Sequence, residues 1–408
     1  MRFLILSQYF PPEVGAPQTR LAALSRELTR LGHQVEVVTA LPNYPAGHIF
    51  PEFRGSFYRR DDWESVRVHR VWLYASIGQG LKRMLNYASF AITSFYGLLR
   101  AKKPDYVFVE SPPIFLSVPG FVMSRLWGVP FIFNVSDLWP DSIRELGILP
   151  KGFLLRFAYA LERWTYRKAS YINAVTKGIL AKLVEGKGVP SHKVLFMPNG
   201  VDTNLFQPTS PDLEFKDRLG LKNRQIVLYQ GTQGYVHGLE NVLYAAKLLS
   251  QDTKICFLFV GGGSERRNLE RLKSDLGLQN VTFLDPVSNE KLPCLFSIAE
   301  CGLVSLKQSP LSADARPSKT LPIMASGKPV LYVGNGEGAR LVEEAKAGVV
   351  VPPGDPRALA DALRTLISNP RVADQLGKNG RKHAEEQFQW SKLVSSWLRD
   401  LAQSSLVQ

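Results

Sequence analysis

A chain of 408 residues, 45% apolar and 21% charged, is a globular protein with room for two domains, each with its own core. Its three cysteines, Cys256, Cys294 and Cys301, are odd in number and lack C-x-x-C spacing, which argues against a disulfide framework or a thiol-held metal and predicts free, buried thiols in a reduced compartment. The net charge of +14 is accompanied by no helix-turn-helix, finger or RNP-like pattern, so nucleic acid is set aside as its partner.

The apolar start, Phe3 to Leu6, is too short for a signal peptide and reads as a first strand. It is followed by the loop SQYFPPEVGAPQTR, a helical pattern at Leu21, Leu24, Leu28 and Leu31, and a strand from Gln34 to Thr39. This is the opening βαβ unit of a doubly wound sheet, whose ligands lie beyond the carboxyl ends of the strands. No G-x-G-x-x-G is present, so a nicotinamide or flavin cofactor is not supported. Gly15 either lets backbone approach a ligand or only turns the chain.

Val66 to Tyr74 alternates like a half-buried strand. Residues 1–200 hold 25 Lys and Arg against 14 Asp and Glu, so most of the positive excess lies there. Basic residues interleave with aromatic and apolar ones from Leu81 to Pro104 and from Lys151 to Ser170. Two explanations stand side by side: an anionic membrane surface, or two amphipathic helices packed on a sheet with a solvated basic face. The apolar run Met84 to Leu99 is interrupted by Asn86, Ser89, Thr93 and Ser94 and is short for a membrane span.

Strands at Tyr106–Val109 and Pro130–Val135 follow, and the second delivers Ser136-Asp137-Leu138-Trp139-Pro140-Asp141 to a strand's carboxyl end. There Trp139 is placed to stack on a sugar, while the carboxylates either serve chemistry or cap a helix near Asp141. Two more strands lead to Pro198-Asn199-Gly200-Val201-Asp202, a turn and candidate domain boundary. A second series then begins: strands at Gln225–Tyr229, Ile255–Val260 and Val281–Leu284, a helix from Glu240 to Leu249, and the triplet Gly261-Gly262-Gly263. From Ser309 to Asp355 basic, acidic and glycine-rich positions alternate. Ser318 is the expected N-cap of a helix carrying Leu321, Ile323 and Met324, and with Arg316 and Lys319 its start makes a seat for a diphosphate. The remainder is helical, at 358–368, 372–387 and 390–401.

Together YFPPEVGAPQTR, the D-x-W-P segment, PNGVD, PSKTLPIMASGKPVLYVGNGEGARLVEEAKAGVVVPPGD and GRKHAEEQFQW resemble retaining glycosyltransferases of family 4. The likeness is to the bacterial branch that builds O-antigen, capsule and exopolysaccharide, with its fucosamine-type transferases, and it covers nearly the whole chain. It implies the GT-B fold: α/β, with two Rossmann-like doubly wound domains facing across a cleft. The acceptor domain would be residues 1–199, joined by a closing helix at about 388–408, and the donor domain residues 200–387. The implied activity is metal-independent, with no cofactor and no D-x-D motif. A sugar, N-acetylated or deoxy, would pass from a UDP-sugar to a polyprenyl-diphosphate-linked saccharide, in the cytoplasm on the inner face of the membrane.

By the same resemblance Asp314 binds the donor sugar and Asp137 orients the acceptor, with Trp139, Asp141 and Glu145 beside it. Arg316, Lys319 and the Ser318-Thr320 helix start hold the leaving diphosphate, and Gly15, Gly231, His237, Gly262 and Val287 surround the nucleotide. The chain departs from the family pattern at two places. Of the two family glutamates, eight positions apart, the first is Asp314 here and the second is Pro322, which cannot accept a ribose hydroxyl through its side chain. Glu337 and Glu343 are the expected replacements. The loop after Tyr229, where relatives carry Arg and Lys, holds uncharged residues and His237, which shifts the phosphate load to Arg316 and Lys319. A UDP-sugar epimerase of the same fold and a catalytically degenerate membrane scaffold are the alternatives.

Overall fold

The computed structural model describes residues 1–76, 80–145, 152–310 and 312–406. Lys151, where the second basic segment begins, and Leu311 lie outside the described residues, as do the last two residues of the chain. The chain divides into two compact units, Met1–Asn199 with Trp390–Gln408, and Gly200–Gln389.

Unit 1 is built on eight strands: β1 (Arg2–Leu6), β2 (Gln34–Ala40), β3 (Tyr58–Trp63), β4 (Val66–Val71), β5 (Tyr106–Ser111), β6 (Phe131–Val135), β7 (Tyr171–Ala174) and β8 (Val194–Phe196). Their order is β3-β4-β2-β1-β5-β6-β7-β8, and only the β3–β4 pair is antiparallel. Helices α1 (Ala16–Arg30), α2 (Leu81–Arg100), α3 (Ser117–Trp127), α4 (Asp141–Glu145), α5 (Phe153–Lys168) and α6 (Lys177–Ala181) make the crossovers. Unit 2 has six parallel strands: β9 (Gln225–Gln230), β10 (Ile255–Val260), β11 (Val281–Leu284), β12 (Ala299–Ser305), β13 (Val330–Val333) and β14 (Gly348–Val351). They are ordered β11-β10-β9-β12-β13-β14. Its helices are α7 (Leu213–Arg218), α8 (Leu239–Leu248), α9 (Arg266–Asp275), α10 (Leu292–Ser297), α11 (Thr320–Ala325), α12 (Glu337–Glu344), α13 (Pro356–Ser368) and α14 (Pro370–Gln387). The last helix, α15 (Trp390–Leu406), belongs to unit 1.

Each sheet reverses its order at one point, between β1 and β5 in unit 1 and between β9 and β12 in unit 2. Loops leaving the two central strands there diverge to opposite faces and open a crevice at their carboxyl ends. Strands covered by helices on both faces are apolar throughout, as in ICFLFV of β10, every residue of which is buried. The edge strand β3, YRRDDW, has no such run and is not foreseen in the sequence; it pairs with β4 as a hairpin. Strand β4 stops at Val71, and Trp72 and Tyr74 are exposed beyond it. Cys256 and Cys301 are buried, but Cys294 is exposed, because α10 turns that position outward.

The amphipathic face of α1, Leu21, Leu24 and Leu28, packs with Val394, Trp397 and Leu401 of α15 over β1 and β2, whereas Leu31 follows the helix and is exposed. Trp397, 1% exposed, meets Phe3 at 6.1 Å and Phe108 at 6.0 Å between ring centroids. Removing that indole leaves a cavity in unit 1. Trp397→Ala should lower unfolding stability by about 3–5 kcal/mol in urea titration, and a loss below about 1 kcal/mol would contradict this packing.

Candidate active site

At the carboxyl edge of the unit 2 sheet, β9 and β10 both run into glycine. Gly231, Gly261 and Gly263 have φ of 116°, 138° and 153°, where a side chain is strained. A Cβ on Gly261 would strike the carbonyl oxygen of Gly231, and one on Gly263 that of Gln233, so the two loops touch through bare backbone. Gly231 N donates to Val260 O at 2.9 Å, and Gln233 N to Gly262 O at 2.7 Å. Arg266 ties this arrangement to β11: its Nη1 donates to Gly261 O at 2.9 Å and Leu284 O at 3.0 Å, and its guanidinium lies 4.7 Å from the Phe283 ring. Gly262 faces Pro286, with Val287 half-buried beyond it. The outcome is a shelf of bare backbone on which the two loops lock together.

Beside that shelf lies Lys319, 7% exposed. A Cβ on Gly231 would sit 3.4 Å from its Nζ. Nζ donates to Tyr229 Oη at 2.6 Å and stands 3.9 Å from the ring centroid, and Tyr229 Oη donates in turn to Thr232 O at 2.6 Å. No carboxylate pairs with Lys319 among the described residues, and burial pushes its pKa down to about 7. His237 is pressed down further, to about 3, by burial first and then by the Lys319 charge. It is therefore a neutral imidazole. Its Nδ1 lies 3.4 Å from Ser305 O, and assigning the proton there leaves Nε2 an acceptor. The sequence places His237 as a phosphate donor; the structure puts it beside Lys319, in the protonation state that cannot serve until it takes up a proton.

The PSK segment differs from its sequence reading. Helix α11 begins at Thr320 and its N-cap position is Lys319, with no side-chain cap; Ser318 is exposed. A turn closed by Thr320 N to Pro317 O, 3.1 Å, already holds Lys319 in helical dihedrals, which moves the start one residue on. Pro322 is then the third residue of the helix, where a missing N–H costs little. Thr320 is fully buried and its Oγ1 has no hydrogen-bond partner among the described residues. Arg316 lies 4.7 Å from the Phe388 ring; burial lowers its pKa to about 10, and Glu337 opposes that fall. Glu337 is buried at the first turn of α12, its N–H donating to Ala313 O at 2.9 Å, so the segment carrying half-buried Asp314 is tied to it. Glu343 is exposed near the far end of α12, about 9 Å along the axis from Glu337, and does not join this group.

In unit 1 the corresponding edge is organised by buried carboxylates that the sequence reading did not single out. Glu110, 1% exposed at the end of β5, forms an ion pair with Arg20 of α1. It also accepts from Asn134 Nδ2 and Ser136 Oγ, both at 2.8 Å, while Asn134 Oδ1 accepts from Asn173 Nδ2 at 2.6 Å. Arg20 reaches Asn199 Oδ1 at 2.9 Å. Glu13, in the loop after β1, accepts from Asn43 N at 2.7 Å and Tyr44 N at 2.8 Å, pinning that loop to the one after β2; burial raises its carboxyl to about 7. Gly15 has extended dihedrals, and a Cβ there would meet only the movable end of Gln18.

Asp137 follows Ser136 at the end of β6, and burial raises its pKa, although the Ser142 hydroxyl and the Leu138 N–H favour its charge. Trp139 is 5% exposed, packed edge-on to Phe115 at 5.9 Å in the core, so its face is not offered to a sugar. Asp141 is committed to structure: burial opposes its charge, yet Lys187 at 2.7 Å and Tyr159 at 2.6 Å hold its pKa below the usual range. Glu145 is exposed. Of the acceptor-side residues, Asp137 alone combines partial burial with a carboxyl not held by a cation in an ion pair among the described residues.

Residues 15–200 match the family described as Glycosyl transferase 4-like domain, and residues 212–383 the family described as Glycosyl transferases group 1. The colanic acid biosynthesis glycosyl transferase WcaI of Escherichia coli K12 is 28% identical over 98% of this chain and 100% of its own. A GDP-mannose-dependent alpha-(1-6)-phosphatidylinositol monomannoside mannosyltransferase of Mycolicibacterium smegmatis is 30% identical over 84% of this chain and 93% of its own. The structure of Anabaena HepE with UDP-glucose superposes with a TM-score of 0.74 at 18% identity, covering 99% of this chain and 100% of that one. The two Rossmann-like units are those of a GT-B glycosyltransferase. The chain belongs to the glycosyltransferase family that joins the 4-like and group 1 domains.

The buried lysine gives a direct check on this geometry. In carbon-13 NMR of lysine-labelled protein, the resonance removed by Lys319→Met should titrate near pH 7. A midpoint near the ordinary lysine value of about 10.4 would contradict the burial described.

Proposed function

We propose that the protein transfers a glycosyl group, with retention of anomeric configuration, from a UDP-sugar to a saccharide carried on a polyprenyl diphosphate. The setting is surface-polysaccharide assembly at the inner face of the cytoplasmic membrane. The observation that carries this reading is Lys319: a buried cation with no carboxylate partner among the described residues, beside a shelf of backbone, is complementary to a ligand diphosphate. On this reading the ammonium stabilises charge growing on the leaving diphosphate, which lowers the barrier because that charge is greatest in the transition state. Arg316 adds a second positive charge, and Asp314 and Glu337 receive sugar and ribose hydroxyls. Asp137 orients the acceptor hydroxyl. HepE, whose structure contains UDP-glucose, supports uridine; the mannosyltransferase named for GDP-mannose makes the base a point to test. The name of WcaI supports the polysaccharide setting.

Membrane attachment rests on α2, α3 and α5. Together they carry eight exposed Lys and Arg and one carboxylate, Glu162, which is buried against Lys187. Among them Leu81, Ile92, Leu99, Leu126 and Phe153 are each at least 70% exposed. Cations beside exposed apolar side chains suit anionic headgroups over an acyl interface. No described helix is long and apolar enough to cross a membrane.

Two measurements test these statements. Calorimetry without added metal should show UDP bound in preference to ADP and GDP, and binding lost in Lys319→Met. Because a diphosphate favours charged Lys319, binding should take up a proton, and affinity should fall about tenfold per pH unit above 7 until the raised pKa of the complex is reached. A pH-independent affinity, or equal binding by Lys319→Met, would count against the site. In vesicle flotation the protein should float with anionic and not with neutral vesicles, and substituting Leu85, Ile92 and Leu99 by Ser should abolish flotation. Flotation equal on both vesicle types would refute the electrostatic part.

A further inference from the structure

The eight-stranded sheet of unit 1 ends at β3, and no strand among the described residues pairs with its outer edge. Trp72 N donates to Phe57 O at 2.8 Å, which makes 57 and 72 a hydrogen-bonded pair at the end of the β3–β4 ladder. Such pairs alternate along an antiparallel ladder. The backbone N–H and C=O of Arg59, Asp61 and Trp63 are therefore spent on β4, and those of Tyr58, Arg60 and Asp62 point to the free edge. On the face that carries Arg59, Asp61 and Trp63 the side chains are engaged. Asp61 accepts from Arg59 Nε at 2.7 Å and from Arg70 Nε at 2.6 Å, and the Arg26 guanidinium lies 5.3 Å from the Trp63 ring. On the other face Tyr58 Oη meets His69 Nδ1 at 2.9 Å. There Arg60 and Asp62 are exposed, and neither forms an ion pair among the described residues.

A charged free edge discourages most strands, because a partner has to set an acid opposite Arg60 and a base opposite Asp62. The chain itself carries that pattern. When one β3 is laid antiparallel on another about a two-fold axis, residues directly opposite each other share a face. Only registers that oppose outward-pointing residues to one another then join the two backbones. With Asp61 at the axis, Arg60 of each copy faces Asp62 of the other, and each of these pairs exchanges both of its N–H···O bonds. The two Asp61 side chains also meet there, but each is already neutralised by Arg59 and Arg70. Moving the axis to Arg60 opposes arginine to arginine, and moving it to Asp62 opposes aspartate to aspartate, with no ion pair among the described residues to relieve either. We infer that β3 is a homodimer interface, which joins two copies of unit 1 through an antiparallel β3–β3 pair with Arg60 opposite Asp62. A two-fold contact of this kind is self-complementary and closed, so it uses up each edge once and does not propagate.

The test is sedimentation velocity of the full chain over a range of micromolar concentrations. Wild type should associate to a dimer. Arg60→Asp and Asp62→Arg each set like charges opposite one another, and each should weaken the dimer by about tenfold or more. Mixed in equal amounts, the two variants should form a heterodimer as strong as the wild-type dimer, because every cross pair then joins an acid to a base. For the same reason Arg60→Asp/Asp62→Arg should restore self-association. Both positions are exposed, so melting temperatures equal to wild type should show that the variants are folded. Added sodium chloride should weaken the dimer, whereas association through the exposed leucines of α2 would not be weakened by salt. A monomer throughout the range overturns the inference, and so do single variants that dimerise like wild type. A mixture of the two variants that stays monomeric, or a dimer that salt leaves unchanged, overturns it as well.

Discussion

An ammonium group taken out of water without a carboxylate to meet it costs several kcal/mol, and in unit 2 Lys319 is such a group among the described residues. The surrounding structure makes the position tenable without cancelling its charge. Tyr229, in the central strand β9, supplies a hydroxyl acceptor and a ring face, and spends its own proton on Thr232 O. Gly231 has no side chain to stand between the ammonium and the shelf. His237, held neutral by burial and by Lys319, adds no competing charge. On the proposed reading, that ammonium is already in place to meet the charge of a leaving diphosphate. If Lys319 carries the phosphate load as proposed, the absence of Arg and Lys from the loop after β9 is offset by the weaker screening of a buried cation.

Much of the fold was legible because parallel strands covered on both faces leave unbroken apolar runs. Strands β10 and β11 have the bounds expected from their sequences, Ile255–Val260 and Val281–Leu284. Strand β3 was not legible, since YRRDDW is an edge strand with polar residues on both sides. The site was legible in its residue types and less so in its geometry. Lys319 was singled out, but as part of a cap led by Ser318; its depth and its contact with Tyr229 come from a turn that sequence spacing does not encode. Glu337 and Glu343 look alike in sequence, yet six positions on one helix put them at opposite ends. Trp139 shows the limit of reading an indole near a strand end as a sugar platform, because only packing on Phe115 decides which way it faces. Glu13 and Glu110 carried no signal beyond being acids near proline, and their roles depend on partners 30 and 90 positions away.

The two units share a plan and differ in chemistry. In unit 2 the strand ends at the topological switch carry glycine and exposed backbone, with one cation beside them. In unit 1 the equivalent ends carry a connected set of side chains, Arg20, Glu110, Asn134 and Asn173, that fixes the loops and reaches Asn199 at the unit boundary. The positive excess of unit 1 is carried on exposed positions of α2, α3 and α5, which the proposed membrane attachment would use.

The most direct test of the account is nucleoside diphosphate release by the purified protein on anionic vesicles carrying a saccharide linked to a lipid diphosphate. The account predicts that at least one UDP-sugar yields UDP, that release requires the lipid-linked acceptor, and that Lys319→Met abolishes it. Conversion of a UDP-sugar to its free epimer without acceptor would contradict it, and so would release that Lys319→Met leaves unchanged.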